Sequence, residues 1–350
     1  MQQAQALHRD GQLQAARTLC ERQLQDTPGD FDALSLLGLI AAQQGDFTVA
    51  VAAYDQVLAL APGSADAYAN RGASLAGLNR CEEALANFDQ AIAIRPQHAE
   101  AHCGRTIVWL LQGDFARGWP EFEWRWKTTY GSVAQARDGL SQVLSDTQPA
   151  PRCDVYCPLL SLPLALKIEL ATIPSRPYLR VPGANLARGP VKLGESKRPR
   201  IGLVWRGDSR NPDDWKRSVT LTQILDHLPA GFQYVSLQKE LTESEQLTAA
   251  THADFRWWQD LNFVDAAALC ESLDLVLSVD TSLAHLAAAL GRKTWILLPF
   301  NPDCRWLLDR KDSPWYPSVT LYRQAFGGDW HGVLTRVAAD LNAEFARYGL

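Results

Sequence analysis

The sequence predicts a solenoid of paired α-helices followed by an α/β domain built on a parallel sheet. Residue types recur with one fixed spacing in the first third of the chain, and short apolar runs alternate with helical patterns from about residue 198. Charge divides the chain in the same way, because residues 1–127 hold 10 Lys and Arg against 15 Asp and Glu, whereas the remainder balances. The composition, with 47% hydrophobic and 21% charged residues in 350, excludes collagen, a coiled coil and a disordered chain.

The repeat has a period of 34 residues. Four sets of positions share it: Pro28, Pro62 and Pro96; Gly38 and Gly72; Ala16, Ala50 and Ala84; Tyr54 and Phe88. A 34-residue period with small internal residues and a terminal proline is the signature of the tetratricopeptide repeat, a pair of helices. The glycines let the helices approach, the aromatic rings fill the space between units, and the prolines end the second helix. We therefore predict units at about 31–64 and 65–98, a partial unit before them and a modified unit from about 99.

An aromatic run closes the repeats. It spans residues 119–126 (WPEFEWRW), and before it Thr106 and Gly118 stand where the period predicts Gly and Ala. Terminal repeats are atypical in this way because they cap the stack, so the run is predicted to dock onto a second domain. The alternative is a stacking platform for bases or sugars.

From about residue 198 the pattern is that of alternating strands and helices. The apolar runs are 201–205, 232–237, 273–279, 294–298 and 319–322, and helical patterns cover 221–228, 263–272, 283–290 and 330–348. This alternation predicts a Rossmann-like, doubly wound parallel sheet. Ligands of such sheets bind beyond the carboxyl ends of the strands, so the polar residues after each run are candidates for a site.

The candidates at this edge favour an anion site. They are Asp280, Thr281, Ser282, His285, Lys239 and either Lys216 or Arg217. The two hydroxyl residues begin a helix whose N–H groups and dipole attract an anion, the histidine follows one turn later, and the basic residues add positive charge, a set that suits a pyrophosphate. Each residue also has an ordinary explanation: N-capping for the hydroxyls, packing for the histidine, and a solvated surface for the basic side chains.

Other chemistries lack support in the sequence. Neither G-x-G-x-x-G nor G-x-x-x-x-G-K-[ST] occurs. Cys153 and Cys157 lie four residues apart without further ligands nearby, so no metal and no other cofactor is predicted. The net charge of -5 opposes nucleic-acid binding. Because neither a membrane-length apolar stretch nor a signal peptide is visible, we expect a cytoplasmic protein with no membrane span.

The run from Leu273 to Gly291 (LDLVLSVDTSLAHLAAALG) resembles the donor-binding motif of the heptosyltransferase-like glycosyltransferases, as in glycosyltransferase family 9. The fuller resemblance is to bacterial proteins that join tetratricopeptide repeats to such a domain and are distantly similar to O-GlcNAc transferase. It covers about residues 30–127 and 150–345. Further segments that carry it are 113–127, 200–207, 216–218, 235–239, 299–308 and 312–317.

This resemblance implies a two-lobed GT-B fold in which the C-terminal lobe holds a nucleotide-sugar without a metal. By position, Thr281 and Ser282 would contact the diphosphate, and His285 would hydrogen-bond a phosphate or the sugar. The basic side chains named above would neutralise the charge of the leaving nucleotide.

The chain departs from that family after the repeats. Members carry most of the first Rossmann lobe there, with a Gly-Leu-Gly-Asp loop whose Asp is expected to be the catalytic base. Here about 25 residues separate Lys127 from Cys153, and no Gly-Leu-Gly-Asp occurs. We therefore predict repeats over 1–127, a connector with a remnant of the first lobe over 128–197, and a nucleotide-sugar-binding lobe over 198–350.

Two functions are compatible with these patterns. One is a glycosyltransferase-like protein whose repeats recruit a protein or peptide acceptor and whose C-terminal lobe binds a nucleotide-sugar. The other is a non-catalytic tetratricopeptide-repeat scaffold that acts through protein–protein interaction. The missing loop leaves the catalytic residue unassigned under the first function.

Overall fold

The computed structural model describes residues 1–128, 162–181, 193–194, 196–208, 211 and 214–346. By its internal contacts the chain divides into two units, Met1–Thr172 with Asp303–Leu307, and Ile173–Pro302 with Leu308–Leu350. The division at 172–173 falls inside the segment predicted as a connector. Cys153 and Cys157 lie outside the described residues.

The first unit is made of helices in sequential pairs. They are α1 (Gln2–Arg9), α2 (Leu13–Asp26), α3 (Phe31–Gln43), α4 (Phe47–Leu60), α5 (Ala65–Gly77), α6 (Cys81–Ile94), α7 (Ala99–Leu111), α8 (Phe115–Phe122) and the single turn α9 (Leu162–Ala165). The first helices of three successive pairs begin at Phe31, Ala65 and Ala99, which are 34 residues apart. The predicted helical solenoid is confirmed.

Glycine positions set how closely these helices pack. A Cβ at Gly38 would lie 2.8 Å from the ring of Tyr54, and one at Gly72 would lie 2.9 Å from the ring of Phe88. Gly104 on α7 also packs closely against Phe88, since a Cβ added there would lie 2.5 Å from the ring. The ring of Phe88 therefore fills the space between α5, α6 and α7, as the period of 34 predicted, although Gly104 itself was not among the periodic positions.

Ion pairs also follow the repeat. Arg71 on α5 pairs with Asp55 on α4 at 2.7 Å, and Arg105 on α7 pairs with Asp89 on α6 at 2.6 Å. The two arginines and the two aspartates are each 34 residues apart. Each pair joins the first helix of one unit to the second helix of the unit before it. The 34-residue period therefore includes an ion pair between neighbouring repeats as well as the packing of their helices.

The aromatic run at the end of the repeats is used for contacts inside the first unit. The imidazole of His102 stacks on the ring of Trp124 with centroids 3.7 Å apart, and Nζ of Lys127 lies 3.7 Å from the same ring centroid. Two groups this close cannot share one face of a ring, so both faces of Trp124 are occupied. Trp119 donates its indole N–H to the carbonyl of Ile168 at 3.2 Å. A stacking platform on Trp124 would require both neighbours to leave.

The second unit is a six-stranded parallel sheet. Its strands are β1 (Arg200–Val204), β2 (Gln233–Ser236), β3 (Phe255–Arg256), β4 (Leu275–Val279), β5 (Thr294–Leu298) and β6 (Val319–Arg323), in the order β3-β2-β1-β4-β5-β6. Its helices are α10 (Leu221–His227), α11 (Glu243–Ala250), α12 (Phe263–Cys270), α13 (Ser282–Ala289) and α14 (Trp330–Glu344). The predicted Rossmann-like parallel sheet is confirmed.

Helices cover both faces of this sheet. On β4, Leu275 and Leu277 pack into one buried cluster with residues of α10 and α14, whereas Val276 packs into a second cluster with residues of α12 and α13. Alternate side chains of a strand point to opposite faces, so a strand buried on both faces is a continuous apolar run. All five residues of β4 are buried.

The order of the strands reverses direction at β1, which pairs with β2 on one side and β4 on the other. A parallel sheet has a crevice at such a switch point, outside the carboxyl ends of its strands. A ligand of this sheet is therefore expected at the segments that follow β1, β2 and β4. Among the described residues, the helices are all too short or too polar to cross a membrane.

Candidate functional site

A cleft of about 670 Å³ opens at the carboxyl ends of β1, β2 and β4. Its lining consists of Val204, Arg206, Gly207, Asp208, Arg217, Leu237, Gln238, Lys239, Glu240, Phe263, Thr281, Ser282 and Leu283. These residues come from the loops after the three strands and from the start of α12 and α13. The cleft therefore lies where the topology of the sheet predicts a ligand.

Helix α13 begins at this cleft without a side-chain cap. Thr281 is the N-cap residue, in extended conformation, but its side chain accepts no hydrogen bond from the helix, and its hydroxyl lies 3.3 Å from the hydroxyl of Ser278. By contrast, α10 and α11 both have complete capping boxes, on Thr220 and Thr242. Unpaired N–H groups at a helix start carry partial positive charge. The ordinary N-capping role suggested for Thr281 is thus not the one that its side chain performs.

The loop after β1 is folded around an ion pair that reaches across to β4. Arg217 donates from Nε to Oδ1 of Asp214 at 2.9 Å and from Nη1 to the carbonyl of Asp280 at 2.9 Å. Asp214 also accepts the hydroxyl of Ser218 at 2.7 Å. Gly207 leaves room for this pair, because a Cβ there would lie 2.1 Å from Oδ1 of Asp214. These contacts hold the Arg217 guanidinium at the wall of the cleft.

A second ion pair stands beside it. Arg206 donates from Nε and Nη2 to Glu245 at 2.8 and 3.0 Å, and the indole of Trp205 donates to the same carboxylate at 2.6 Å. Burial acts to raise the pKa of Glu245, but the hydrogen bonds from Arg206, Trp205 and the backbone of Thr242 outweigh it and lower the pKa. Glu245 therefore stays ionised and neutralises Arg206.

Lys239 and Gln238, which follow β2, also line the cleft. Lys239 is largely exposed, and its Nζ lies 3.2 Å from a carboxylate oxygen of Glu240. Gln238 is 8% exposed and donates from Nε2 to the carbonyl of Arg206 at 3.1 Å. Its Oε1 is buried and has no hydrogen-bond partner among the described residues. A buried acceptor without a partner costs about 1–3 kcal/mol, which a donor group of a ligand would offset.

His285 lies outside the lining of the cleft. Its Nδ1 lies 3.1 Å from the hydroxyl of Tyr316, and its Nε2 lies 3.6 Å from a carboxylate oxygen of Asp280. The hydroxyl of Tyr316 lies 3.4 Å from that of Tyr178. The histidine thus links the start of α13 to two tyrosines from other segments of the second unit.

The structure gathers some of the sequence candidates and separates others. Thr281, Ser282, Lys239 and Arg217 line the cleft, whereas Asp280, His285 and Lys216 are not among its lining residues. Asp280 contributes its backbone carbonyl to Arg217. Lys216 has its Nζ 5.7 Å from the ring centroid of Trp215. Of the two alternatives Lys216 and Arg217, only Arg217 is among the lining residues.

Arg206 and Gln238 directly follow the apolar runs 201–205 and 232–237, so both are among the polar residues that the sequence marks for inspection, although neither was assigned to the predicted anion site. Asp214 could not be found in this way, because its role depends on the fold of a polar loop. In the described part of the chain, no three His, Cys, Asp or Glu side chains are grouped as metal ligands would be.

The two units of the chain match different families of known proteins. Residues 1–65 and 37–108 match models of the tetratricopeptide repeat. Residues 234–297 match the model of glycosyltransferase family 9 (heptosyltransferase). This second match runs from β2 to β5 and includes the residues of the cleft that follow β2 and β4. The chain thus carries a match to the tetratricopeptide repeat in its first unit and a match to glycosyltransferase family 9 over residues 234–297 in its second.

Individual relatives are similar over parts of the chain. Protein FlbA of Caulobacter vibrioides is 31% identical over an alignment of 158 residues that covers 43% of this chain and 26% of FlbA, so the chain spans about a quarter of that relative. A solved structure of MamA from Desulfovibrio magneticus RS-1 is 23% identical with a TM-score of 0.34, covering 35% of this chain and 69% of MamA. A MamA structure labelled MSR-1 is 24% identical with a TM-score of 0.32, covering 35% and 70%.

Proposed function

We propose that the second unit binds a nucleotide-sugar in the cleft, with the diphosphate at the start of α13, in a glycosyltransferase-like protein whose repeats recruit a polypeptide. The observation that carries the proposal is the uncapped start of α13, which opens on a cleft also lined by Arg217 and Lys239. The match to glycosyltransferase family 9 over residues 234–297 supports the choice of ligand class.

The chemistry of a diphosphate suits the donors of the cleft. Its oxygens accept hydrogen bonds, and the first N–H groups of α13 together with the hydroxyl of Ser282 would donate them, whereas the hydroxyl of Thr281 lies against that of Ser278. The buried Oε1 of Gln238 is an acceptor, so it would suit a hydroxyl or N–H of the nucleoside or sugar rather than a phosphate oxygen. The cleft thus offers separate partners for the charged and the uncharged parts of one ligand.

Charge alone would not hold the ligand tightly. Arg217 and Arg206 already pair with Asp214 and Glu245, and Lys239 lies next to Glu240. Much of the positive charge is therefore neutralised before a ligand arrives. We propose that the backbone N–H groups of α13 provide the main attraction and that Arg217 and Lys239 assist.

The proposal covers binding of the donor and assigns no catalytic residue. The family that the sequence resembles has its expected base in a Gly-Leu-Gly-Asp loop, and that loop does not occur in this sequence. His285 is not assigned to the ligand, because it contacts Tyr316 and does not line the cleft.

Calorimetry of the purified chain with UDP-, GDP- and ADP-sugars tests the binding proposal. We expect one donor to bind and its affinity to fall about tenfold in Ser282→Ala and in Lys239→Gln, which is about 1.4 kcal/mol for each lost donor. The controls are Ser272→Ala, an exposed serine after α12, and Lys197→Gln, an exposed lysine before β1. Absence of heat with every donor would contradict the proposal, as would equal affinity in all four variants.

The scaffold function has an observation in its favour as well. Apolar side chains are exposed on the first helices of two repeat pairs, Phe31 on α3 and Ile107 on α7, at 40% and 39%. We propose that the repeats bind a polypeptide at these helices. The test is retention of peptides from an array by the full chain, with Ile107→Glu as the loss variant and Leu247→Glu, on the exposed face of α11, as the control. Retention that is unchanged in Ile107→Glu would count against it.

A further inference from the structure

Two histidines from different helices face each other on the second unit. His227 is the last residue of α10, and His331 is the second residue of α14. Nε2 of His227 lies 2.8 Å from Nδ1 of His331, and the two rings are inclined at 71° with their centroids 4.9 Å apart. Neither residue lines the cleft at α13. Because the two residues are 104 positions apart, the pair is not visible in the sequence, which led us to expect no metal.

The tautomer of His227 follows from the contact of its other nitrogen. Nδ1 of His227 lies 2.7 Å from the carbonyl oxygen of Gln223, and a carbonyl oxygen can only accept, so Nδ1 carries the hydrogen. In the neutral ring the lone pair is then on Nε2, the atom that faces His331. A histidine that binds a metal usually donates its second ring N–H to a carbonyl or a carboxylate in this way, which fixes the orientation of the ring.

His331 supplies the second nitrogen. Its Nδ1 donates to Nε2 of His227, since that atom is the acceptor. The side chain of His331 is exposed, so its ring can carry the hydrogen at Nε2 instead and leave a lone pair at Nδ1. With a turn of the exposed ring, two lone pairs would then face one point between the helices, and the number of bound protons would be unchanged.

The separation of the two nitrogens suits one transition-metal ion. Imidazole nitrogens bind such ions at about 2.0 Å, so two nitrogens at right angles around one ion lie about 2.8 Å apart. In a tetrahedral site the two nitrogens lie about 3.3 Å apart. The observed 2.8 Å therefore matches neighbouring positions in the tetragonal geometry that is typical of Cu²⁺ and Ni²⁺.

The two helices hold the pair in place and add negative charge. Ile224 of α10 and Val333 of α14 belong to the same buried cluster on one face of the sheet. His227 ends its helix, where the partial negative charge of the helix dipole favours a cation. The start of α14 has the opposite partial charge, but the carboxylate of Asp329 lies there and accepts from the N–H of Gly332 at 2.8 Å.

We propose that His227 and His331 bind one Cu²⁺ or Ni²⁺ ion, with water in its remaining positions. Imidazole is a preferred ligand of these ions, whereas Mg²⁺ and Ca²⁺ prefer oxygen. No group of three or more metal-ligating side chains occurs among the described residues, so the site has two protein ligands. The bound ion would join the helix after β1 to the helix after β6 and so stabilise the folded second unit.

Calorimetric titration of the full chain, without a histidine tag, tests the proposal with Ni²⁺, Cu²⁺ and Mg²⁺ as probes. We expect one saturable Ni²⁺ site whose affinity falls at least tenfold in His227→Gln and in His331→Gln, and no binding of Mg²⁺. Ni²⁺ should also raise the melting temperature of the wild type and leave that of both variants unchanged. Tighter binding of Cu²⁺ than of Ni²⁺ assigns the site to copper, and the reverse assigns it to nickel.

The matched control is His252→Gln. Nδ1 of His252 also lies 2.9 Å from the carbonyl oxygen of the residue four positions earlier, Thr248, but no second histidine faces this ring in the part of the chain that the structure describes. The affinity for Ni²⁺ should therefore be unchanged in this variant.

Three results would overturn the proposal. The first is the absence of saturable Ni²⁺ binding, and the second is an equal loss of affinity in His252→Gln, which would indicate binding to single histidines. The third is a loss in only one of His227→Gln and His331→Gln, which would place the ion elsewhere. Neither histidine is buried, so both variants should fold, and urea unfolding checks this.

Discussion

The imidazole Nδ1 of His285 lies 3.1 Å from the hydroxyl oxygen of Tyr316, and the same ring places Nε2 3.6 Å from a carboxylate oxygen of Asp280. A side chain on the second turn of α13 thus ties the start of that helix to the segment before β6. Thr281 and Ser282, at the start of the same helix, line the cleft, whereas His285 does not.

Removing this tie should affect stability more than ligand binding. We expect His285→Ala and Tyr316→Phe each to lower the free energy of unfolding by about 1 kcal/mol, the contribution of one hydrogen bond. Donor affinity should change less than threefold, because neither residue lines the cleft. Urea unfolding and calorimetry measure the two quantities. A fully stable His285→Ala chain without donor binding would show that His285 contacts the ligand.

Gly207 is predicted to be required for the shape of the cleft. The Cβ of Gly207→Ala would lie 2.1 Å from Oδ1 of Asp214 and 2.5 Å from Nη2 of Arg217. Both contacts are at the ends of side chains, so the ion pair should move while the sheet stays folded. We expect donor affinity to fall about tenfold with little change in unfolding, as measured by calorimetry and urea unfolding. Gly327→Ala, where a Cβ would meet nothing within 4 Å, is the control; equal affinities in the two variants would refute the role.

The repeat glycines should be sensitive to one added methyl group. In Gly72→Ala the new Cβ would lie 2.9 Å from the ring of Phe88 and 3.2 Å from the carbonyl oxygen of Ala84. Overpacking of this kind costs about 1–3 kcal/mol, which urea unfolding would detect. Gly63→Ala has no atom within 4 Å of the added group and should be close to neutral. Similar losses in both variants would mean that close packing is not what these glycines provide.

Acid should weaken the second unit partly through Glu245. Its pKa is lower in the folded chain than the ordinary value of 4.5, so its contribution to stability is present above about pH 4.5 and is lost as the pH falls through the folded pKa. Between pH 6 and pH 3, the free energy of unfolding of Glu245→Gln should therefore fall less than that of the wild type. Glu243→Gln, two residues earlier and exposed, is the control. An equal pH slope in wild type and Glu245→Gln would contradict the assignment.

The strands and repeats could be predicted because their signals are local. A strand buried on both faces is a continuous apolar run, so β1, β4 and β5 were visible in the sequence. The 34-residue period placed the starts of α3, α5 and α7 because each unit repeats the same contacts. Strand β3 has only two residues, Phe255–Arg256, and a run of that length carries no periodic signal.

The site was predicted less completely because it depends on contacts between distant segments. A threonine before a helix is usually a cap, and only the three-dimensional structure shows that the hydroxyl of Thr281 lies against that of Ser278 instead. Lys216 and Arg217 are adjacent in sequence, yet a 3-10 turn at Asp214–Lys216 leaves only Arg217 at the cleft. The pair between Arg206 and Glu245 joins residues 39 apart.

Backbone hydrogen exchange at the start of α13 measures directly whether a diphosphate binds there. We predict that a saturating nucleoside diphosphate slows exchange of the amides of Ser282, Leu283 and Ala284. The start of α14 is the internal control, because the carboxylate of Asp329 already caps it and its exchange should not change. Unchanged exchange at residues 282–284 under saturating nucleoside diphosphate would contradict binding at this helix.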